Sequence, residues 1–246
     1  MRILRSLFRI EPAVKGFICG CGHSGTTLAA SILAAHPEVH IPLDETEIFR
    51  QPPDEARRLY RKLLRAAARA GKRVLIEKTP RHIHHLELIR TTVPGARFVV
   101  PVRDGRDVAA SIGRRLGDPR PGVQRWIAEN RIVLAERGKP DVFIYRYEDL
   151  IEDPPGTVRK ICSFLDLSFR PDLLEYYRTP RLWLGQQSIR KGAARGEKEH
   201  RALRNWQVNQ PIFDGRGRGR ETLSAEDTIR LTEGDGRPLM QAFGYL

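Results

Sequence analysis

An α/β fold built on a mainly parallel sheet is predicted by three observations. Short apolar runs rich in Val, Ile and Phe alternate with segments of helical periodicity. A glycine-rich turn follows the first run and opens a helix. The alternation then continues along the chain, the pattern that lays helices against both faces of a parallel sheet.

Taken in order, "AVKGFICG" (13–20) is the first strand, and "GTTLAASILAAH" (25–36) the helix after it. A short strand precedes the acidic stretch "HIPLDETEIF" (40–49). "PDEARRLYRKLLRAAARAG" (53–71) carries Leu59, Leu63 and Leu64 at helical spacing and stops at Gly71. "KRVLIEK" (72–78), "ARFVVPVR" (96–103) and "DVFIYRY" (141–147) are further buried strands. "PRHIHHLELIRTT" (80–92), "GRDVAASIGRRL" (105–116) and "VQRWIAENRIVLAERG" (123–138) are helices between them, and "DPPGTVRKICSFLDLSF" starts one more. Residues 180–222 are rich in Gly and Arg without clear periodicity and are expected to form a lid or loop region over the sheet. No linker splits the chain, so residues 1–246 are expected to form a single domain. The basic opening, residues 1–12, is expected to be an N-terminal arm; it is too short for a signal peptide.

No run of about 18 apolar residues occurs, so no membrane span is expected. Three cysteines (Cys19, Cys21 and Cys162) are too few and too odd for a disulfide framework and point to a reducing, cytoplasmic setting. Cys19 and Cys21 lack a second pair to complete a metal site, so no metal is expected. The formal net charge is +13, and 35 of the 43 basic residues are arginine. That bias suits an anionic partner, because the guanidinium fork matches phosphate and carboxylate.

The loop "GCGHSGTT" has Gly20 and Gly25 where a phosphate-binding turn needs them, but Thr26 and Thr27 stand where a nucleotide loop has Lys and then Ser or Thr. Backbone N–H groups and the helix dipole can still hold an anion there. Gly22, His23, Ser24, Gly25, Thr26 and Thr27 are therefore candidate phosphate ligands. The missing charge must come from elsewhere. Lys78 and Arg103 close two strands at the carboxyl edge where open α/β sheets bind ligands, and Ser111 follows Arg103 by eight residues. Loop, Lys78 and the Arg103/Ser111 pair together suit a nucleotide phosphorylated at both ends.

"GCGHSGTT", "EKTPRHIHHLELIRTTVPGARFV", "PVRDGRDVAASI" and "FIYRYEDLIEDPPGTVRKICSFLDL" together resemble sulfotransferases that use 3′-phosphoadenosine 5′-phosphosulfate (PAPS). The resemblance runs in order over residues 14–168. It implies a P-loop NTPase-like three-layer fold and transfer of a sulfuryl group to an acceptor hydroxyl without a metal, leaving 3′,5′-bisphosphoadenosine (PAP). It implies that the first loop holds the 5′-phosphosulfate, that Arg103 and Ser111 hold the 3′-phosphate, and that Lys78 contacts the bridging oxygen of the leaving group. His23 departs from the Arg or Lys that many members carry. Glu45 matches the catalytic glutamate of tyrosyl-protein and glycan sulfotransferases, with Asp44 and Glu47 behind it. Cytosolic members use a histidine two residues after the lysine; here that residue is Pro80, with solvent-facing His82 as a reserve base. Arg190, Lys191 and Gly192 resemble a fragment of the later 3′-phosphate loop.

Trp126 and Trp183 are expected in the core, with Trp206 and Phe213 anchoring the later loop. The acceptor is expected to be an anionic glycan or a tyrosyl peptide. Two other functions compete. A P-loop kinase of a small metabolite lacks its lysine and a strand-end acid for magnesium. A basic nucleic-acid binder lacks an aromatic-basic recognition module.

Overall fold

The structure is a computed structural model and describes residues 12–218 and 220–246; the basic arm, but for Pro12, lies outside them. Five strands form one parallel sheet in the order β2-β3-β1-β4-β5. They are β1 (Val14–Ile18), β2 (Val39–His40), β3 (Val74–Lys78), β4 (Ala96–Val102) and β5 (Val142–Arg146). The helices are α1 (Thr26–Ala34), α2 (Pro53–Arg69), α3 (Leu86–Thr92), α4 (Gly105–Leu116), α5 (Arg120–Ala135), α6 (Tyr147–Glu152), α7 (Pro154–Phe164), α8 (Glu197–Gln207), α9 (Ala225–Thr232) and α10 (Arg237–Ala242).

Strand side chains alternate between two buried layers, as a pleated sheet requires. Phe17, Leu75, Phe98 and Val100 face a core closed by residues of α2 to α5, α9 and α10. Ile18, Val74, Ile76 and Val99 face the other, closed by α1, α7 and Trp183. Both faces are covered, which is why the strands read as continuous apolar runs rather than as alternation. Pro101 is tolerated inside β4 because β1 pairing ends at Val99, so no ladder bond on that side is lost. Among the described residues no helix is long and apolar enough to cross a membrane.

The sequence pattern misplaces two elements. Residues Pro80–His85 form a 3-10 helix, and α-helix begins only at Leu86. Inside the expected loop region lies α8, an eleven-residue helix burying only His200, Ala202 and Asn205. Its apolar residues are only Ala202, Leu203 and Trp206, and two of its three buried residues are polar, so the periodic signal is short. The stretch before α8 is held by amides: Trp183 N–H donates to Asn205 Oδ1 (2.8 Å) and Arg181 N–H to Asn209 Oδ1 (2.8 Å).

Candidate active site

The site is built at the carboxyl edge of β1, β3 and β4. After Ile18 the chain turns through Gly20 (φ 126°), His23 (φ 70°) and Gly25 (φ 95°) before α1. Gly25 is needed twice over: its φ is left-handed, and a Cβ there would lie 2.8 Å from Tyr147 Cδ2. No side chain caps α1 and no acid stands in its first turn, leaving its N–H donors free for an anion. Ser24 Oγ and Thr26 Oγ1 are buried without a hydrogen-bond partner, as is Arg103 Nε. Orphaned donors around an uncapped helix start fit a polyanionic ligand such as the one the resemblance implies.

His23 Nδ1 lies 2.8 Å from Ser111 Oγ on α4, which joins the loop to the second anion site. Its ring stacks on His200 at 5.5 Å. Burial, then Arg204, His200, Arg125 and Arg115, hold its pKa well below the ordinary histidine value. The imidazole is thus neutral near pH 7 and adds no charge to the loop.

Arg103 follows β4 with its guanidinium 4.4 Å over the Tyr147 ring. Its Nη2 donates to Gly215 O (2.7 Å) and its Nη1 to His23 O (3.4 Å). Trp126, fully buried as expected, donates from Nε1 to Arg103 O (2.8 Å) and so fixes the strand end. Trp183 is buried too.

Lys78 ends β3 and is fully buried, with Nζ 2.9 Å from Glu45 Oε1; the Glu45 side chain keeps 35% exposure. Burial draws the lysine below its usual range while Glu45 opposes that shift. The partner is Glu45 and not the neighbouring Glu77, which is occupied by Thr46 (2.8 Å), Thr79 (2.7 Å) and His82 (2.7 Å). Burial pushes the Glu77 carboxyl up, but His82 and the two hydroxyls outweigh it and leave the pKa below the ordinary value.

That network corrects the reading of His82. It is fully buried rather than solvent-facing; Nδ1 meets Glu77 and Nε2 accepts from Phe49 N–H (3.2 Å). With both nitrogens engaged it is a brace under the 46–50 segment, not a reserve base. Removing one member of a buried pair leaves the other uncompensated. His82→Ala is expected to lower stability by about 3–5 kcal/mol, measured as a shift of the urea midpoint at constant slope; no shift would show the pair to be dispensable.

Two cavities open on this edge. The first, of about 450 Å³, is lined by His23, Gly25, Thr27, Arg103, Ser111 and Tyr147, with Arg114 and Arg218 from beyond the motifs. The second, of about 340 Å³, is lined by Gly22, His23, Thr26, Glu45 and several arginines, among them Arg115, Arg125 and Arg204. His23 and Arg204 line both. Arg190, Lys191 and Gly192 line neither cavity. Arg190 pairs with Glu199 (2.8 and 2.5 Å), Lys191 sits 5.3 Å over the Trp206 ring, and Gly192 backs onto α8.

Sequence reasoning did not single out Tyr147, His200, Arg115, Arg125 or Arg204. Tyr147 sits within the recognised "RYEDL" stretch, and Arg125 at a helical position facing Gly22, where a Cβ would meet its Nη2 at 2.9 Å. Nothing in the letters marks Arg204. No cluster of three or more metal-ligating side chains occurs among the described residues.

Comparison with known proteins matches the Sulfotransferase family over residues 52–171. Protein-tyrosine sulfotransferase A of Caenorhabditis elegans is 25% identical over 65% of this chain, which spans 52% of that relative's length. The sulfotransferase domain of the Synechococcus PCC 7002 olefin synthase superposes with a TM-score of 0.69 at 20% identity, covering 96% of each chain. Mouse sulfotransferase SULT7A1, solved with PAP, superposes at 0.58 with 15% identity over 93% of this chain and 89% of its own. At those identities the superpositions speak to the fold.

Proposed function

We infer that this chain is a sulfotransferase, as the family match over residues 52–171 supports, that it transfers a sulfuryl group from PAPS to an acceptor hydroxyl, and that residues 1–246 act as one catalytic domain. The observation that carries the reading is the meeting of two cavities at His23 and Arg204, one rimmed by anion ligands and the other by a carboxylate on a buried lysine. PAPS, when bound, supplies an activated sulfuryl group: its bond to the 5′-phosphate oxygen breaks as the bond to the acceptor oxygen forms.

The chain's own residues divide the work. The 20–27 loop and the start of α1 hold the 5′ end through backbone N–H groups and the hydroxyls of Ser24 and Thr26. Arg103 and Ser111 hold the 3′-phosphate. Glu45 takes the acceptor's proton. Lys78 stabilises the electron pair left on the departing phosphate oxygen. Neutral His23, held by Ser111, orients at the boundary and can donate one hydrogen bond. Beside the proton transfer to Glu45, positioning and preorganised charge carry the catalysis, as in phosphoryl transfer.

A kinase reading finds less support. Besides the absent loop lysine, the acids at the strand ends are occupied: Glu77 by His82, and Asp104 by Arg106 (2.6 Å) and Arg220 (3.0 Å). The acceptor is read as anionic. Arg81, Arg115, Arg125, Arg201 and Arg204 face the second cavity, and Arg115 has no hydrogen bond or ion pair among the described residues. A tyrosyl peptide with neighbouring acids or an anionic glycan meets that charge, and the protein-tyrosine relatives favour the peptide.

Transfer of radiolabelled sulfate from PAPS to panels of peptides and glycans tests the reaction; no transfer to any acceptor, with no PAP binding by calorimetry, would refute it. Arg103→Ala is expected to weaken PAP roughly 10- to 100-fold, the scale of a hydrogen bond to a charged group. Unchanged PAP affinity would take the 3′-phosphate away from Arg103.

A further inference from the structure

The loop leaves a physical question open. It carries no cation, and its histidine is neutral, yet the sulfuryl end of the donor is an anion at the floor of both cavities. A charge-bearing group must face that point, from an element other than the loop. Among the arginines there, Arg125 is tied by Nε to Glu129 (3.0 Å to each oxygen) and Arg201 to Glu197 (2.7 Å). Their charge is largely spent within the protein.

Arg204 differs. It projects from α8, and its hydrogen bond among the described residues runs from Nη2 to Thr27 Oγ1 (3.0 Å), the second residue of α1. Thr27 is a neutral partner, and among the described residues no carboxylate lies within ion-pair distance. Of five N–H donors one is used. The side chain lines the first cavity beside His23 and Thr27 and the second beside Thr26 and Glu45. His200 and Arg204, four apart, share a helical face with Gln207 and Val208, so the inner face of α8 forms a wall common to both cavities. A partly buried guanidinium with one neutral partner is costly unless an anion joins it. Burial, with Arg115, Arg125 and Arg103 around it, draws its pKa down, and Glu45 opposes that; an arriving anion would relieve the repulsion.

We propose that Arg204 is the cation missing from the loop: reaching over from α8, it binds the sulfuryl group at the boundary between donor and acceptor and stabilises its charge during transfer. The proposal rests on the sulfotransferase reading. It also gives α8 a purpose beyond covering the sheet edge, because the helix completes the sulfuryl site only when docked against α1.

The test needs no acceptor. Calorimetry of the full chain with PAPS and with PAP separates the two ends of the donor, since PAP lacks the sulfuryl group. For Arg204→Gln, which keeps a side chain able to hydrogen-bond Thr27, PAPS affinity is expected to fall roughly 10- to 100-fold. PAP affinity should stay within about threefold on the same scale. Arg204→Lys should recover part of the loss, and adding His23→Arg to Arg204→Gln should recover more by returning a cation to the loop. Equal losses for PAPS and PAP would overturn the proposal and make Arg204 an anchor of α8; unchanged affinity for both would overturn it as well. Wild-type protein that bound neither ligand would sink the functional reading itself, and this assignment with it.

Discussion

Lys78→Ala is expected to lower kcat roughly 10²–10³-fold, the loss that follows removal of one preorganised donor at a developing charge. The expectation rests on placement. β1 and β3 pair Ile18 with Lys78, so the ammonium emerges level with the start of the phosphate loop. It is fully buried, where a charge acts through little water. If its contact forms only as the S–O bond breaks, kcat and kcat/KM fall together and KM stays near its wild-type value. A rise in KM with kcat preserved would place the lysine in ground-state binding instead, and near-wild-type turnover with unchanged KM would remove it from the mechanism. The pH profile adds a second reading. The protonated ammonium is the working form, so rate is lost as pH rises through its pKa. Burial draws that pKa below the ordinary lysine value, so the alkaline limb should fall short of about 10.4. Lys78→Arg, if it folds, carries a group that keeps its proton and should lose that limb.

The sheet was legible because its central strands, β1, β3 and β4, are buried on both faces and read as apolar runs bounded by turns. The loop was legible because its glycines serve backbone geometry: Gly25 stands at a left-handed position against Tyr147. Lys78 and Arg103 were legible as strand-end cations, but their partners were not. The fold turns the adjacent Glu77 toward His82 and gives Lys78 to Glu45, 33 positions away. The same turn hides His82, whose neighbours "PRHIHH" have the look of a solvated helix start. The 3-10 winding drives the ring between Glu77 and Phe49. α8 was invisible for a further reason. The face that walls the site is His200, Arg204 and Gln207, all polar, and of the helix's two fully buried residues, Ala202 and Asn205, one is polar too, so neither face carries a strong hydrophobic period. Where the fold serves packing, the letters show it; where it serves a ligand, the pattern is broken by the residues that matter.

Glu45→Gln is expected to lower kcat roughly 10²- to 10⁴-fold, the range for loss of a positioned general base. The substitution keeps the shape and leaves an amide oxygen that can accept from Lys78 Nζ, so the effect reports charge and basicity more than packing. Glu45 lines the second cavity and not the first, hence PAP affinity should change far less than kcat. A coupled effect follows from the ion pair. Glu45 raises the lysine's pKa against its burial; with the carboxylate gone, the main opposition to burial is lost and the pKa falls further. The residual activity of Glu45→Gln should therefore have its alkaline limb displaced to lower pH than in the wild type. These two readouts separate two roles. Lost kcat with a displaced limb marks Glu45 as both base and counter-ion. A displaced limb with kcat preserved at lower pH leaves it as counter-ion alone, and the proton must then go to Asp44 or Glu47. Glu47 is the weaker of those, because its carboxylate is held by Arg50 at 2.6 Å; Asp44→Asn would then be the variant expected to lose the reaction.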